Sequence, residues 1–174
     1  MTEPIYSITT EAERDCLARL AREVKPHGTI LEVGTLYGGV TEVLAKNAPA
    51  AEVVTIDNFS WHPETLPANT AASVMASLHS VGVKNFRIIE DDSREVGKRW
   101  NDPIDLLWID GGHSYEFVYS DLYNFGRHAE VIALHDYNNP IWLSVRKAIE
   151  AFIAKDRIWQ IAEVVDMVCV LRKL

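Results

Sequence analysis

The sequence predicts an α/β protein with a mostly parallel seven-stranded sheet, helices on both faces and an antiparallel strand near the carboxyl terminus. Three observations lead to this class. Short apolar segments alternate with helical ones, a pattern typical of βαβ units and a parallel sheet. The apolar segments carry few polar residues, as expected for strands that helices cover on both faces. Only Asp166 separates the last two strand-like segments, which indicates a hairpin.

Length, composition and charge narrow the function classes. The chain has 174 residues, 48% of them hydrophobic, which predicts one folded domain over residues 1–174. Its net charge of −8 argues against a nucleic-acid or membrane-surface partner, because phosphate polyanions would be repelled. No apolar run approaches the roughly 18–20 residues of a membrane-spanning helix.

The amino-terminal segment, residues 1–28, is predicted to be helical. Thr10 and Glu13 form a capping-box pattern, in which each side chain satisfies a free backbone N–H at the start of a helix. Apolar residues then recur at helical spacing. Pro26 and Gly28 end this helix before the first strand.

The following elements are read from apolar runs and from the polar or glycine residues that separate them. Strands are predicted over residues 29–33, 52–56, 86–89, 104–109, 130–134, 159–165 and 167–172. Helices are predicted over residues 38–47, within 69–81, over 93–100 and 114–125, and from Pro140 onwards, because proline is well tolerated in a first helical turn.

Two features bear on the cellular compartment. The first residues carry acids where a signal peptide would need an apolar stretch. The two cysteines, Cys16 and Cys169, stand in apolar surroundings and are interpreted as buried free thiols, which fits a reducing compartment. We therefore expect a cytoplasmic protein.

Acidic residues mark the carboxyl ends of the first five predicted strands. In open α/β sheets ligands bind beyond these ends, at the point where the strand order reverses. A purely structural protein has no need for five acids along one rim, so the pattern indicates a ligand site. The acids are Glu32, Asp57, Asp92, Asp110 and Asp136.

A glycine-containing loop follows the first strand and includes Gly34, Thr35, Tyr37 and Gly38. Glycines let a backbone pass close to a ligand, although a tight strand-to-helix turn is the alternative. The loop is not the dinucleotide fingerprint G-x-G-x-x-G, because Leu36 occupies the second glycine position. A nicotinamide-dependent dehydrogenase is therefore the weaker interpretation.

The next two strand ends fit a nucleoside. Asp57 lies 23 residues after Gly34, near the spacing at which an acid meets the ribose hydroxyls, and Asn58 follows it. Asp92 and Ser93 stand where an adenine amino group would be bound. They also fit the start of a helix, and both roles are compatible.

Taken together, these residues resemble the cofactor site of class I S-adenosylmethionine-dependent methyltransferases, in the segments ILEVGTLYGGVT, VVTIDNF and IIEDDSREV. The resemblance runs from about Ile30 to the end and includes the final hairpin, so it implies a Rossmann-like methyltransferase fold. It implies cofactor contacts from Glu32, Gly34, Thr35, Tyr37, Gly38, Asp57, Asn58, Asp92, Ser93, Asp110 and His113.

The segment IDLLWIDGGHSYEFVYSDL followed by ALHDY resembles the branch with macrocin-type O-methyltransferases and cephalosporin-hydroxylase-like proteins. Several of these bind Mg²⁺ through acids after the fourth and fifth strands, which implies Asp110 and Asp136 as metal ligands. The third ligand is left open, as is a structural role in which Asp110 orients a turn and Asp136 caps a loop. His113 and His135 are softer ligands that also suit Zn²⁺, Mn²⁺ or Fe²⁺.

Asp110, His113 and His135 are the predicted catalytic residues. A histidine with a near-neutral pKa can remove a proton from an acceptor. His113 has two further interpretations, as a metal ligand or as a local hydrogen-bonding residue that holds its loop. The connection over residues 59–67 contains a Trp, a His and two Pro residues, and is either a substrate wall or an ordinary surface loop.

The sequence therefore predicts an S-adenosylmethionine-dependent methyltransferase that acts on a small molecule, by O-methylation, with assistance from Mg²⁺ or another divalent metal. A homodimer is expected, since a short chain can borrow a pocket wall from its twin. The alternative is a cofactor-binding module that does no chemistry or needs a partner chain.

Overall fold

A computed structural model describes residues 5–174 as one seven-stranded sheet flanked by helices. Residues 1–4, which belong to the predicted amino-terminal segment and to the stretch compared with a signal peptide, lie outside the described residues. The strands are β1 (Thr29–Val33), β2 (Glu52–Asp57), β3 (Phe86–Glu90), β4 (Ile104–Ile109), β5 (Ala129–Leu134), β6 (Trp159–Val165) and β7 (Val168–Lys173). The α-helices are α1 (Glu11–Glu23), α2 (Gly39–Asn47), α3 (Ala71–Ser80), α4 (Ser93–Arg99), α5 (Tyr115–Phe125) and α6 (Leu143–Lys155).

The strand order is β3-β2-β1-β4-β5-β7-β6. The first five strands pair in parallel, whereas β7 pairs antiparallel with both β5 and β6. This confirms the predicted sheet and its antiparallel strand. That strand lies inside the sheet, because β6 returns beyond it and forms the edge. The order reverses between β1 and β4, which places the crevice predicted for a ligand at their carboxyl ends.

The two faces of the sheet bury separate apolar cores, which confirms the predicted helices on both faces. On one face α1, α2 and α3 pack through residues such as Leu17, Leu44 and Leu78. On the other face α4, α5 and α6 pack through residues such as Phe125 and Phe152. A sheet covered in this way exposes its ligand-binding groups only at the strand ends.

The start of α1 has the predicted capping box. The Thr10 side chain accepts a hydrogen bond from the Glu13 backbone N–H at 3.2 Å, and the Glu13 carboxylate accepts one from the Thr10 N–H at 2.8 Å. Such a cap stabilises a helix by about 1 kcal/mol. It also fixes where Glu13 lies relative to the strand ends.

The predicted start of the last helix at Pro140 is wrong. Helix α6 begins at Leu143, with Trp142 as its N-cap. Two turns occupy the chain first, since the Asn139 N–H bonds the Asp136 carbonyl at 3.2 Å and the Trp142 N–H bonds the Asn139 carbonyl at 3.2 Å. Pro140 therefore lies in the loop after β5 and not in the first turn of α6.

Within residues 5–174, no helix combines the length and the hydropathy that are needed to cross a bilayer.

Candidate functional site

A cavity of about 610 Å³ opens at the carboxyl ends of the first five strands. It is bordered by the loop after β1 on one side and by the loops after β4 and β5 on the other. The structure brings ten of the predicted site residues to its wall: Gly34, Thr35, Asp57, Asn58, Asp92, Ser93, Asp110, His113, His135 and Asp136.

The loop after β1 packs directly against the loop after β4. Gly34 has a left-handed φ of 95°, and a Cβ atom at this position would collide with the carbonyl oxygen of Asp110. Glycine is required here for both reasons, since an L side chain would meet strained backbone and no space. The cofactor loop and the first predicted metal ligand are therefore held in one rigid unit.

Asp57 holds the same loop from the neighbouring strand. Its Oδ2 atom accepts hydrogen bonds from the backbone N–H groups of Thr35 at 2.9 Å and Leu36 at 3.0 Å, and its Oδ1 atom accepts one from Phe59 N–H at 2.7 Å. Gly34 and Asp57 thus border one cavity, as their predicted roles require. The loop-holding contacts were not foreseen.

Three predicted cofactor contacts do not line the cavity: Glu32, Tyr37 and Gly38. The Tyr37 hydroxyl donates a hydrogen bond to the Pro67 carbonyl at 2.5 Å, so it anchors the end of the 59–67 connection. Gly38 is the N-cap of α2, and a Cβ there would press on Val74 of α3. The geometry favours supporting roles for these residues.

Glu32 lies fully buried behind the glycine loop. Its Oε2 atom accepts a hydrogen bond from the Thr41 hydroxyl at 2.5 Å, while Oε1 has no partner among the described residues. Burial raises the pKa of Glu32 to about 8, although hydrogen bonds from Thr41 and Thr55 act in the opposite direction. Glu32 is therefore mostly protonated at neutral pH.

At the end of β3, Asp92 takes the helix-capping role. Its Oδ1 atom accepts hydrogen bonds from the Arg94 backbone N–H and from Arg94 Nε, both at 2.9 Å, and Oδ2 lies 2.5 Å from Arg94 Nη2. The hydrogen bond from Arg94 lowers the pKa of Asp92. Asp92 thus serves as a helix cap, the role the sequence allowed beside binding of an adenine amino group, and its Oδ2 atom and the neighbouring Ser93 hydroxyl both keep acceptor capacity.

Asp110, His113 and Asp136 form a compact cluster on the wall of the same cavity. One ligand atom from each lies within 4.8 Å of the others. His113 Nε2 is 2.9 Å from Asp136 Oδ2 and 4.0 Å from Asp110 Oδ1. The Trp142 ring stacks on the His113 ring at 4.8 Å and 16°, which fixes the orientation of the imidazole.

Asp136 is held in position by three side chains. Its backbone has a left-handed φ of 61°, and its carboxylate accepts a hydrogen bond from Asn139 Nδ2 at 2.7 Å. Burial alone would raise the pKa of Asp136, but the side chains of His113, His135 and Asn139 outweigh it and hold the pKa well below its usual range. The carboxylate is therefore ionised.

His135 is buried, and carboxylates face both nitrogens of its ring. Nε2 lies 3.2 Å from Glu13 Oε2, and Nδ1 lies 3.4 Å from Asp110 Oδ1 and 3.6 Å from Asp136 Oδ2. Burial lowers the pKa of His135, but the carboxylates of Asp110 and Asp136 prevail and raise it to about 11. With carboxylates facing both ring nitrogens, the geometry favours a positioning role for His135 over its predicted role as a base.

Trp61, from the predicted substrate wall, and Trp142, which the sequence placed at the same rim, both border the cavity. Other residues at the site carried no functional signal in the sequence, among them Tyr6 to Ile8, which also line the cavity. Glu13 was interpreted only as a helix cap. A buried acid behind the site, Asp121, has no local sequence pattern that distinguishes it from a solvent-exposed helical residue.

Solved structures of methyltransferases share this fold. It superposes with a TM-score of 0.71 on CalS11, a TDP-rhamnose 3′-O-methyltransferase of calicheamicin biosynthesis, at 20% identity over 92% of this chain and 77% of that one. The S-adenosylhomocysteine-bound methyltransferase PaMTH1 of Podospora anserina gives 0.68 at 19% identity, over 96% and 80% of the two chains. At these identities the likeness establishes the fold.

The fold and the family match together define the chain as a class I S-adenosylmethionine-dependent methyltransferase domain. A family model described as "Methyltransferase domain" matches residues 31–137, which is more than half of the chain. The chain belongs to that family.

A viral protein of unknown role is related in sequence. The uncharacterized protein R132 of Acanthamoeba polyphaga mimivirus is 26% identical over 134 residues, which cover 72% of this chain and 59% of that protein. The chain thus spans somewhat more than half the length of this relative.

Proposed function

We propose that the protein transfers a methyl group from S-adenosylmethionine to an oxygen atom of a small molecule, with a divalent metal ion at the acceptor end of the site. One observation carries this proposal. A single cavity is lined both by the glycine loop with Asp57 and by the cluster of Asp110, His113 and Asp136. Methyl donor and acceptor can therefore be bound side by side.

The cofactor end provides for each part of the nucleoside. The loop at Gly34 lets backbone approach a ligand, and we assign Asp57 to the ribose hydroxyls and Ser93 to the base, since all three line the cavity. Methyl transfer needs donor and acceptor in line, and holding two reactants in near-attack geometry can contribute about 7–11 kcal/mol. Orientation by these rigid loops is the main catalytic contribution of the chain.

The acceptor end has a donor set that fits a divalent ion. Two ligand atoms of one cation lie at most about 4–5 Å apart, twice a bond of 2.0–2.6 Å, and one atom from each of Asp110, His113 and Asp136 lies within 4.8 Å of the others. Two carboxylates and one imidazole suit Mn²⁺, Fe²⁺ or Zn²⁺ as well as Mg²⁺. A bound ion there would supply Lewis acidity that lowers the pKa of an acceptor hydroxyl. We assign His113 as the third ligand, because its Nε2 faces both acids.

The mouth of the cavity favours a small acceptor with an apolar part. Ile8, Trp61 and Trp142 line it and expose 54%, 62% and 41% of their surface. Aromatic rings offer flat apolar contact to a sugar face or an aromatic ring. The net charge of −8 and the acids around the site disfavour RNA as acceptor, because its phosphates would be repelled.

Isothermal titration with S-adenosylhomocysteine tests the cofactor assignment. We expect binding by the wild type and by the control variant Asp15→Asn, whose acid is exposed on α1, and a loss of at least about tenfold in Asp57→Ala. Absence of binding by the wild type would refute the proposal. Transfer assays with S-adenosylmethionine on a panel of hydroxylated acceptors, with RNA included, then test the acceptor class.

Metal content tests the second site. After equilibration with Mn²⁺ and desalting, we expect about one ion per chain in the wild type and in Asp15→Asn, and a clear loss in Asp110→Asn, His113→Ala and Asp136→Asn. Unchanged metal content and turnover in all three variants would show that the cluster is structural.

A partner-dependent binding module is the second candidate, and one observation favours it. Ile141 and Leu143, beside Trp142, are 76% and 57% exposed next to the cavity mouth, so another chain or a second copy would find apolar surface there. A homodimer measured by sedimentation, with transfer activity that falls on dilution, would support it.

The two buried free cysteines support a cytoplasmic setting, which remains part of the proposal.

A further inference from the structure

Asp121 is a buried acid of α5 that lies behind the cavity wall. Asp121 has only 1% of its surface exposed. Its Oδ1 atom accepts a hydrogen bond from the Ser93 hydroxyl at 2.8 Å, across 28 residues of sequence, and its Oδ2 atom has no partner among the described residues. Burial of a carboxylate costs free energy unless the group is hydrogen-bonded, and in this case the Ser93 hydroxyl is the donor.

Ser93 is a side chain at the end of β3 that remains available to a ligand. It borders the cavity together with Asp91 and Asp92. Arg94 engages both oxygens of Asp92. Asp91 accepts the Asp92 N–H at 2.8 Å through Oδ1, and its Oδ2 lies 2.5 Å from Arg99. Both acids already accept hydrogen bonds from the protein, whereas the Ser93 hydroxyl, which donates to Asp121, accepts none from residues 5–174 and keeps both of its lone pairs.

The direction of the Ser93 hydrogen bond limits what it can bind. A hydroxyl has one hydrogen and two acceptor lone pairs. Because Asp121 takes the hydrogen, Ser93 presents only lone pairs to the cavity and can pair only with a donor. An adenine presents an exocyclic amino group, whereas hypoxanthine presents a carbonyl oxygen at the same position.

We infer that Asp121 sets the base specificity of the cofactor site, as a positioning residue that fixes Ser93 as a hydrogen-bond acceptor for the adenine amino group. This inference rests on the proposed function, since it assumes that the base of S-adenosylmethionine lies beside Ser93. The preference of the cofactor site for adenine then originates in Asp121, a side chain that does not contact the ligand.

The protonation state of Asp121 decides at which pH the inference must be tested. Burial raises its pKa to about 7, with a smaller contribution in the same direction from Asp92, while Ser93 and Arg94 lower it. A protonated carboxyl could donate to Ser93 and reverse the hydrogen bond. Measurements at pH 8.5 keep Asp121 ionised and Ser93 in its acceptor state.

Titration with S-adenosylhomocysteine and with its deaminated analogue S-inosylhomocysteine measures the specificity. The wild type should bind the adenosyl compound at least about tenfold more tightly, the factor that corresponds to 1.4 kcal/mol. In Asp121→Ala the Ser93 hydroxyl loses its acceptor and is free to rotate and donate, so the ratio should fall to about one. Ser93→Ala should also lose the preference, and Glu116→Gln, an exposed change on the same helix, should keep it.

The outcomes separate the inference from the function it rests on. Circular dichroism and thermal unfolding show whether Asp121→Ala folds, and Ser93→Ala provides the measurement if it does not. A wild-type ratio in either folded variant would overturn the inference while cofactor binding stands. A wild type that binds neither compound would overturn the proposed function and the inference with it.

Discussion

The Nε2 atom of His135 lies 3.2 Å from the Oε2 atom of Glu13, across 122 residues of sequence. The same buried carboxylate accepts hydrogen bonds from the Thr10 N–H at 2.8 Å and from the Met167 N–H at 2.9 Å. One acid thus joins the amino-terminal helix, the end of β5 and the turn between β6 and β7. The orientation of His135 therefore depends on helix α1, which lies outside the sheet. Through His135 the positions of Asp110 and Asp136 depend on the same helix.

Replacement of Glu13 by Gln should lower the free energy of unfolding by about 3–5 kcal/mol, the cost of removing one partner of a buried charge pair. The amide cannot accept from His135 and from both backbone groups, so at least one donor loses its partner. Urea unfolding followed by circular dichroism measures the loss. Glu11→Gln, an exposed change in the same helical turn, is the control, and equal stabilities of the two variants would contradict the assigned contact.

A substitution at Gly34 should separate close packing from backbone strain. In Gly34→Ala the new Cβ meets the Asp110 carbonyl, in addition to the left-handed φ of 95°. Gly82 has a similar φ of 84° with nothing within 4 Å of the added Cβ, so Gly82→Ala should cost only the strain, about 1–2 kcal/mol. We expect Gly34→Ala to cost at least about 2 kcal/mol more, or to prevent folding. Similar losses in both variants would show that the two loops are not held together as described.

The buried Glu32 predicts a pH-dependent loss of stability. Its folded pKa of about 8 lies above the ordinary value of 4.5, so the folded state binds more protons than the unfolded state between these values. Stability due to this group is therefore fully present below about pH 4.5 and is lost as the pH rises towards 8, by up to about 5 kcal/mol.

Comparison of the wild type with Glu32→Gln isolates this effect, because other titrating groups are common to both proteins. The stability of the variant relative to the wild type should increase steadily from pH 5 to pH 8 in urea unfolding. Glu52→Gln, an exposed change at the start of β2, should give no such trend. A pH-independent difference for Glu32→Gln would mean that Glu32 is ionised in the folded protein.

The sequence predicted the strands, the sheet with its antiparallel β7 and ten residues of the cavity wall, because these depend on local periodicity and on the rule that parallel strands end at one edge. It could not predict the tasks of Glu13 and Asp121, since their burial results from contacts with residues that are distant in the chain. Asp92 shows the intermediate case. Its position at the strand end was correct, but its partner Arg94 was not foreseen because capping and ligand binding need the same residue types.

Asp57 is observed to hold the loop after β1 and is proposed to bind the ribose hydroxyls. The variant Asp57→Asn can distinguish these two roles. Its carboxylate accepts three backbone hydrogen bonds from the loops after β1 and β2. In Asp57→Asn the amide NH₂ must face at least one backbone N–H, which should cost about 1–3 kcal/mol in free energy of unfolding. The loosened loop should also weaken binding of any nucleoside, whether or not it has ribose hydroxyls.

A direct contact with the ribose adds a ligand-dependent loss. We therefore compare S-adenosylhomocysteine with its 2′,3′-dideoxy analogue in the wild type and in Asp57→Asn by calorimetry, as a thermodynamic cycle. If Asp57 accepts the ribose hydroxyls, the substitution should weaken binding of the natural compound more than that of the analogue, by about 1.5–3 kcal/mol, the usual strength of a hydrogen bond to a charged group. Equal losses for both ligands would mean that Asp57 acts only through the loop, and the ribose would then need another partner in the cavity, such as Asn58.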